Sequence, residues 1–297
     1  MSTPPFLALP ACASARRLPT ARGEFAVLVA EPNGTPRGSA LLVPGFTGSK
    51  EDFIALLEPL AAAGYRTVAV DQRGQYETGG PADQAAYALP ELGRDLLALT
   101  AAVAADAADV PLHLLGHSFG GYVVREAVLA TVAAGAALPW SSLTLLSTGP
   151  GPIEPSEAAR TKMLLDALAG LALETIWQVM QQMEEGSGDP AAKPAPPVAE
   201  FLHRRWLANV PQALLAMGDR LLGEPDRTAE LAAVALPKLA VSGVRDYAWP
   251  VEEQARTAER LGARYLRVDG AGHSPNAERP TETAAALAEF WTSVGPA

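Results

Sequence analysis

The chain has one cysteine, Cys12, and four histidines in 297 residues, and both scarcities are informative. A single cysteine admits no disulfide within the chain, and the Cys and His spacings contain no zinc pattern, so no metal is expected. Four histidines are few enough to weigh one at a time as candidate bases. Positive charge is also short: 23 basic residues face 33 acidic ones, giving a formal net charge of −10. Such a chain is repelled by phosphate backbones and anionic lipid heads. Adjacent basic pairs are limited to Arg16-Arg17 and Arg204-Arg205, so no local patch reverses the sign. Neither nucleic acid nor a membrane surface is expected as a partner. No apolar run approaches the length of a bilayer span. The opening "MSTPPFLALPACASARR" carries small residues resembling a cleavage site, and "LPAC" resembles a lipoprotein attachment site. It has no positive start, however, and Pro4, Pro5 and Pro10 interrupt any apolar core. It reads as a ragged N-terminal arm on a cytoplasmic protein.

What is abundant is apolar material, 48 % of the residues, enough for a large core. It is distributed as short runs alternating with longer amphipathic segments. "GEFAVLVA" (23–30), "GSALLVPG" (38–45), "YRTVAV" (65–70), "VPLHLLG" (110–116), "SLTLLSTG" (142–149), "LPKLAVSG" (236–243) and "ARYLRVDG" (263–270) read as strands. Helices are expected near 51–63, 91–105, 119–134, 251–261 and 281–292. Strands that are apolar almost throughout, joined by helices, indicate a mostly parallel central sheet covered on both faces, an α/β fold. The first two strands, joined by the turn-rich "EPNGTPR", read as an antiparallel start. Residues 151–235 break the alternation: they are largely helical and are expected to form a cap over the carboxyl edge of the sheet, where ligands of such folds bind. The expected domains are therefore a discontinuous core, 1–150 with 236–297, and the helical cap 151–235. Within the cap, "GSGDPAAKPAPP" (186–197) reads either as a flexible connection between cap helices or as an ordinary surface loop.

Gly116-His117-Ser118-Phe119-Gly120 fits G-x-S-x-G, a pattern that is weak alone and strong between a strand and a helix. Here "PLHLL" precedes it and "YVVREAVLATVAA" follows. Glycines two residues either side relieve the crowding of a strained strand-to-helix elbow, which exposes the hydroxyl. The competing reading is a serine that merely caps a helix in a glycine turn. A nucleophilic serine needs a base and a group to orient that base. His113 lies within a strand, His117 precedes the serine on the elbow, and His203 sits on a cap helix. His273, in the glycine-rich "VDGAGHSPNAERP" after the last strand, is the expected base. Asp246, in "VSGVRDYAWP", is the expected orienting acid. Glu154 is the alternative acid, and Asp71 is expected to secure its own loop. The backbone N–H groups of Phe46, in "LLVPGFTGS", and of Phe119 are the expected oxyanion donors.

These landmarks resemble the α/β-hydrolase superfamily from about residue 23 to residue 292. "PGFTGS" resembles the family's oxyanion loop, with Pro44 where a histidine commonly stands. "DQRGQY" resembles its D-x-R-G-x-G loop, with Tyr76 in place of the last glycine. "GHSFGG" is similar to the nucleophile elbow, "GVRDYAWP" to the acid loop, and "GAGHSPNAERP", with Glu278 and Pro280 downstream, to the histidine loop. The resemblance implies a cofactor-free serine hydrolase using Ser118, Asp246 and His273 on a small-molecule substrate. A small-to-medium apolar carboxylic ester is the expected substrate, with Phe46, Phe119 and Trp249 as candidate contacts. C–C, thioester or amide hydrolysis, and perhydrolase or haloperoxidase chemistry, use the same triad and stay open. A ligand-binding protein with slow turnover is a further alternative. Ser118 disfavours an aspartate-nucleophile epoxide hydrolase or dehalogenase. Met163, Met180, Met183 and Met217, with Trp177 and Trp206, either line an acyl pocket or pack the cap onto the core.

Overall fold

A computed structural model describes residues 2–106, 110–186 and 194–294. Eight strands form one sheet in the order β1-β2-β4-β3-β5-β6-β7-β8. The strands are β1 (Ala13–Thr20), β2 (Gly23–Ala30), β3 (Gly38–Val43), β4 (Tyr65–Val70), β5 (Leu112–His117), β6 (Ser142–Leu146), β7 (Lys238–Gly243) and β8 (Arg264–Val268). From β4 to β8 every neighbouring pair is parallel. Strands β3 to β7 are buried along their whole length, which accounts for their unbroken apolar runs.

The edge differs from expectation in two ways. Residues 13–20 are not a loose arm: they are a strand, paired antiparallel with β2 through the register Ala13↔Ala30 to Thr20↔Gly23. Nor does β2 pair with β3; its other neighbour is β4, also antiparallel. The hairpin return at Ala21-Arg22 gives one edge of β2 to β1, and β4 inserts parallel to β3 on the other side. Adjacency in sequence therefore misled about adjacency in the sheet.

Helices α1 (Ile54–Ala62), α2 (Leu89–Asp106) and α3 (Phe119–Ala133) connect the first parallel strands. Between β6 and β7 the chain forms α4 (Pro155–Leu168), α5 (Leu173–Gly186), α6 (Pro196–Leu207), α7 (Pro211–Gly223) and α8 (Thr228–Ala232). The core of the interruption read at 186–197 lies outside the described residues. After β7 come α9 (Val251–Arg260), the single turn α10 (Pro275–Glu278) and α11 (Pro280–Val294). Side chains of α2 and α3 make one core against the sheet. Those of α1 and α11 make a second against its other face. No helix among the described residues is long and apolar enough to cross a membrane.

Connections step from β3 outward to β4, then back across to β5 and onward to β8, so the direction reverses between β3 and β5. The carboxyl ends of those two strands lie level, with Val43 opposite Gly116. A reversal of this kind opens a crevice at the strand ends. It brings the loop 44–49 against residue 118.

Candidate active site

Ser118 follows β5 directly and takes φ 54° and ψ −123°, a left-handed backbone that side chains other than glycine rarely adopt. Its N–H donates to Leu146 O on β6 at 2.9 Å, which fixes the turn to the sheet. A Cβ on Gly116 would meet Gly120 O at 2.4 Å, and one on Gly120 would meet Val43 O at 2.4 Å. The glycines are there for close backbone approach, and the strained serine is what they permit.

The structure brings Ser118, His273 and Asp246 together in a line. Ser118 Oγ and His273 Nε2 are 3.0 Å apart, and His273 Nδ1 lies 2.9 Å from Asp246 Oδ1. A carboxylate can only accept, so Nδ1 carries the proton and Nε2 is the acceptor facing the serine hydroxyl. Asp246 Oδ1 also accepts from Ala248 N at 2.8 Å, and Oδ2 accepts from Gln254 Nε2 at 2.8 Å. Burial by itself would raise this carboxyl. The hydrogen bond and charge of His273, then the Ala248 N–H and the Gln254 amide, outweigh burial and hold it below the ordinary carboxylate range.

The loop bearing His273 is clamped by two residues without an evident role in the sequence. Glu278, on α10, accepts from Gly272 N at 2.5 Å and from Ser274 N at 2.9 Å, bracketing the histidine. His117 Nε2 donates to His273 O at 2.9 Å. Burial, and then the neighbouring His273, push His117 down to about 3, so it is neutral.

The loop after β3 is the other arm of the site. Phe119 begins α3, so its N–H has no partner within the helix. Gly45 lies against the serine: a Cβ there would be 2.9 Å from Ser118 Cβ. Pro44 carries no side chain able to donate a hydrogen bond, and the carbonyls of this loop are held from the loop after β4. Gln72 Nε2 donates to Pro44 O and Gln75 Nε2 donates to Gly45 O, both at 2.8 Å. Tyr76, which stands where the resembled D-x-R-G-x-G pattern ends in glycine, takes φ 30° and packs edge-on against Phe201 of α6.

The remaining candidates have other surroundings. Glu154 caps α4 by accepting from Ser156 N at 2.8 Å. Asp71 is buried and ties Lys50 through both its backbone N–H and its ammonium, securing the loop. His113 bonds to Ser142 and stacks on Trp291, and His203 bonds to Glu174 and stacks on Trp177. Of the three apolar contacts expected for substrate, the Phe119 and Trp249 side chains are wholly buried in the core. Phe46 is half-buried and touches both that core and the cluster formed by α4 to α7. The cap residues divide as well: Met217 and Trp206 are buried, whereas Met163 and Met183 are exposed. Tyr247, not singled out from sequence, is half exposed, with its ring 4.7 Å from that of His273. Among the described residues no cluster of His, Cys, Asp and Glu is placed to hold a metal ion.

Residues 40–286 match the Alpha/beta hydrolase family. The chain belongs to that family. Among its α/β-hydrolase relatives is a monoacylglycerol lipase of Mycolicibacterium smegmatis, 28 % identical over 240 residues, covering 78 % of each chain. Another is epoxide hydrolase A of Mycobacterium tuberculosis, 28 % identical over 308 aligned residues, covering 86 % of this chain and 90 % of the relative. A hydrolase from Pseudomonas aeruginosa shares the fold, with TM-score 0.72 at 23 % identity over 94 % of this chain and 98 % of its own. The protein is a hydrolytic enzyme of the α/β-hydrolase family.

Proposed function

We propose that the protein hydrolyses a small-to-medium apolar carboxylic ester through an acyl-enzyme on Ser118. The observation that carries this reading is the unbroken relay from Ser118 Oγ through His273 to Asp246, with contacts of 3.0 and 2.9 Å. In this reading His273 Nε2 takes the hydroxyl proton as Ser118 Oγ attacks the ester carbonyl carbon. The tetrahedral oxyanion accepts from the N–H groups of Phe46 and Phe119. The proton then passes from His273 to the departing alcohol, and water, activated by the same imidazole, releases the acid. Asp246 stays ionised and fixes the histidine tautomer. Position 118 offers a hydroxyl rather than a carboxylate, which favours acyl transfer over alkyl transfer.

Helices α4 to α8 would act as the cap over the core formed by 1–150 and 236–297. Phe46 and Tyr247 supply apolar surface beside the reacting atoms, in keeping with an uncharged, apolar acyl or alcohol group. The test is a fluorophosphonate probe followed by a panel of ester, thioester and amide substrates, run on the wild type beside Ser118→Ala. Labelling confined to the wild type, with turnover on esters, is expected. An unlabelled wild type would overturn the nucleophile, and turnover restricted to another bond type would replace the ester.

A further inference from the structure

The Gly45–Phe46 peptide bears the proposed oxyanion donor, Phe46 N–H, on one side and the Gly45 carbonyl on the other. A trans peptide is planar with its N–H and C=O antiparallel, so whatever fixes the carbonyl also aims the N–H. Gly45 O accepts from Gly48 N at 3.1 Å, which closes the turn, and from Gln75 Nε2 at 2.8 Å. The orientation of the Gln75 amide is itself fixed, because its Oε1 accepts from Gln72 N at 3.0 Å. Gln72 then secures the preceding carbonyl, Pro44 O, at 2.8 Å. Both glutamines are at most 5 % exposed, so water does not replace them. The turn they hold is strained: Thr47, a β-branched residue, sits at φ 57°.

We propose that Gln75, supported by Gln72, is a positioning residue that aims the Phe46 N–H at the substrate's carbonyl oxygen. This rests on Ser118 being the nucleophile and Phe46 a donor. The residue type follows from the task. The clamp must donate to a carbonyl while leaving the N–H on the other side of the same peptide free, which a neutral carboxamide does and a carboxylate does not. Because the donor acts on charge that develops only in the transition state, its misalignment lowers kcat and leaves substrate binding almost unchanged.

The experiment measures kcat and KM on a short-chain aryl ester, and the affinity for a matching trifluoromethyl ketone, whose adduct with serine carries an oxyanion. Gln75→Met keeps the length and the burial and removes the donor. The expected result is a fall in kcat of about tenfold to a hundredfold, below the loss for deleting a donor outright. KM should stay within about twofold, and ketone affinity should weaken in step with kcat/KM. Gln75→Glu, which sets a carboxylate against the carbonyl, should lose more than Gln75→Met. A folded Gln75→Met with unchanged kcat and ketone affinity, or with a change in KM alone, overturns the proposal. Should Gln75→Met fail to fold, Gln72→Met decides: a smaller fall in kcat with the same parallel loss of ketone affinity supports it, and no fall overturns it. Fluorophosphonate labelling of the wild type separates the two levels of inference. A labelled wild type with an unaffected Gln75→Met sinks only the role of Gln75, whereas an unlabelled wild type sinks the nucleophile and this role with it.

Discussion

The loop after β3 and the loop after β8 both reach Ser118, yet the side chains that hold them are of opposite kinds. In the proposed reading the first presents the Phe46 N–H, and its clamps, Gln72 and Gln75, donate to the carbonyls of Pro44 and Gly45. The second must present a ring nitrogen, and its backbone N–H groups are free to be used for anchoring. Glu278 accepts from those of Gly272 and Ser274. Exposure follows the same division: the glutamines are buried, whereas Glu278 faces solvent. Water is able to substitute for part of what Glu278 does and for almost none of what Gln75 does.

The histidine arm is expected to fail hardest at its acid. Asp246→Asn leaves the shape intact but cannot require the proton to sit on Nδ1, and turnover should fall about 10⁴-fold. Steady-state kinetics on the ester that the wild type prefers would measure it. A loss of that size in Glu154→Gln instead, with Asp246→Asn active, would transfer the orienting role to the other carboxylate. Glu278→Ala comes next, at about a tenfold loss in kcat, because Glu278 is exposed and solvent can reach the partly exposed Gly272 N–H it abandons, though Ser274 is buried. If Glu278→Ala costs more than Gln75→Met under the same assay, the contrast between a wet and a dry clamp is wrong.

Much of this was legible in the sequence, and the boundary has a physical reason. The elbow could be read because Gly116 and Gly120 answer to backbone atoms only a few residues or one strand away. Asp246 and His273 could be read because each follows a strand, and the ends of parallel strands converge at one edge. Strand β1 was missed because it is a half-exposed edge strand carrying Arg16 and Arg17, so it lacks the apolar run of the inner strands. The role of Gln75 was hidden because it depends on which carbonyl the loop after β4 meets across the sheet. Phe119 and Trp249 show what proximity in sequence leaves open: both side chains are buried, and the Trp249 ring stacks 6.2 Å from that of His273.

The last effect is on stability rather than on rate and concerns His117, which anchors the same histidine arm. Its Nε2 faces the carbonyl of His273, which only accepts, so the proton sits on Nε2 and the buried Nδ1 has no partner. Burial pushes this group down to about 3, against about 6.5 in an unfolded chain. Between those values the unfolded chain takes up a proton that the folded one refuses. The contribution of His117 to stability is therefore full above about pH 6.5 and falls as the pH drops towards 3, by about 1.4 kcal/mol per unit. Urea unfolding of the wild type and His117→Gln at pH 7 and pH 5 isolates this, since His113, itself pushed down to about 4, titrates equally in both chains. The wild type should lose about 2 kcal/mol more than the variant over that interval. An equal loss in the two would mean that His117 accepts its proton in the folded state. A cation would then stand with its ring 5.1 Å from that of His273 and oppose the imidazolium on which the histidine arm depends.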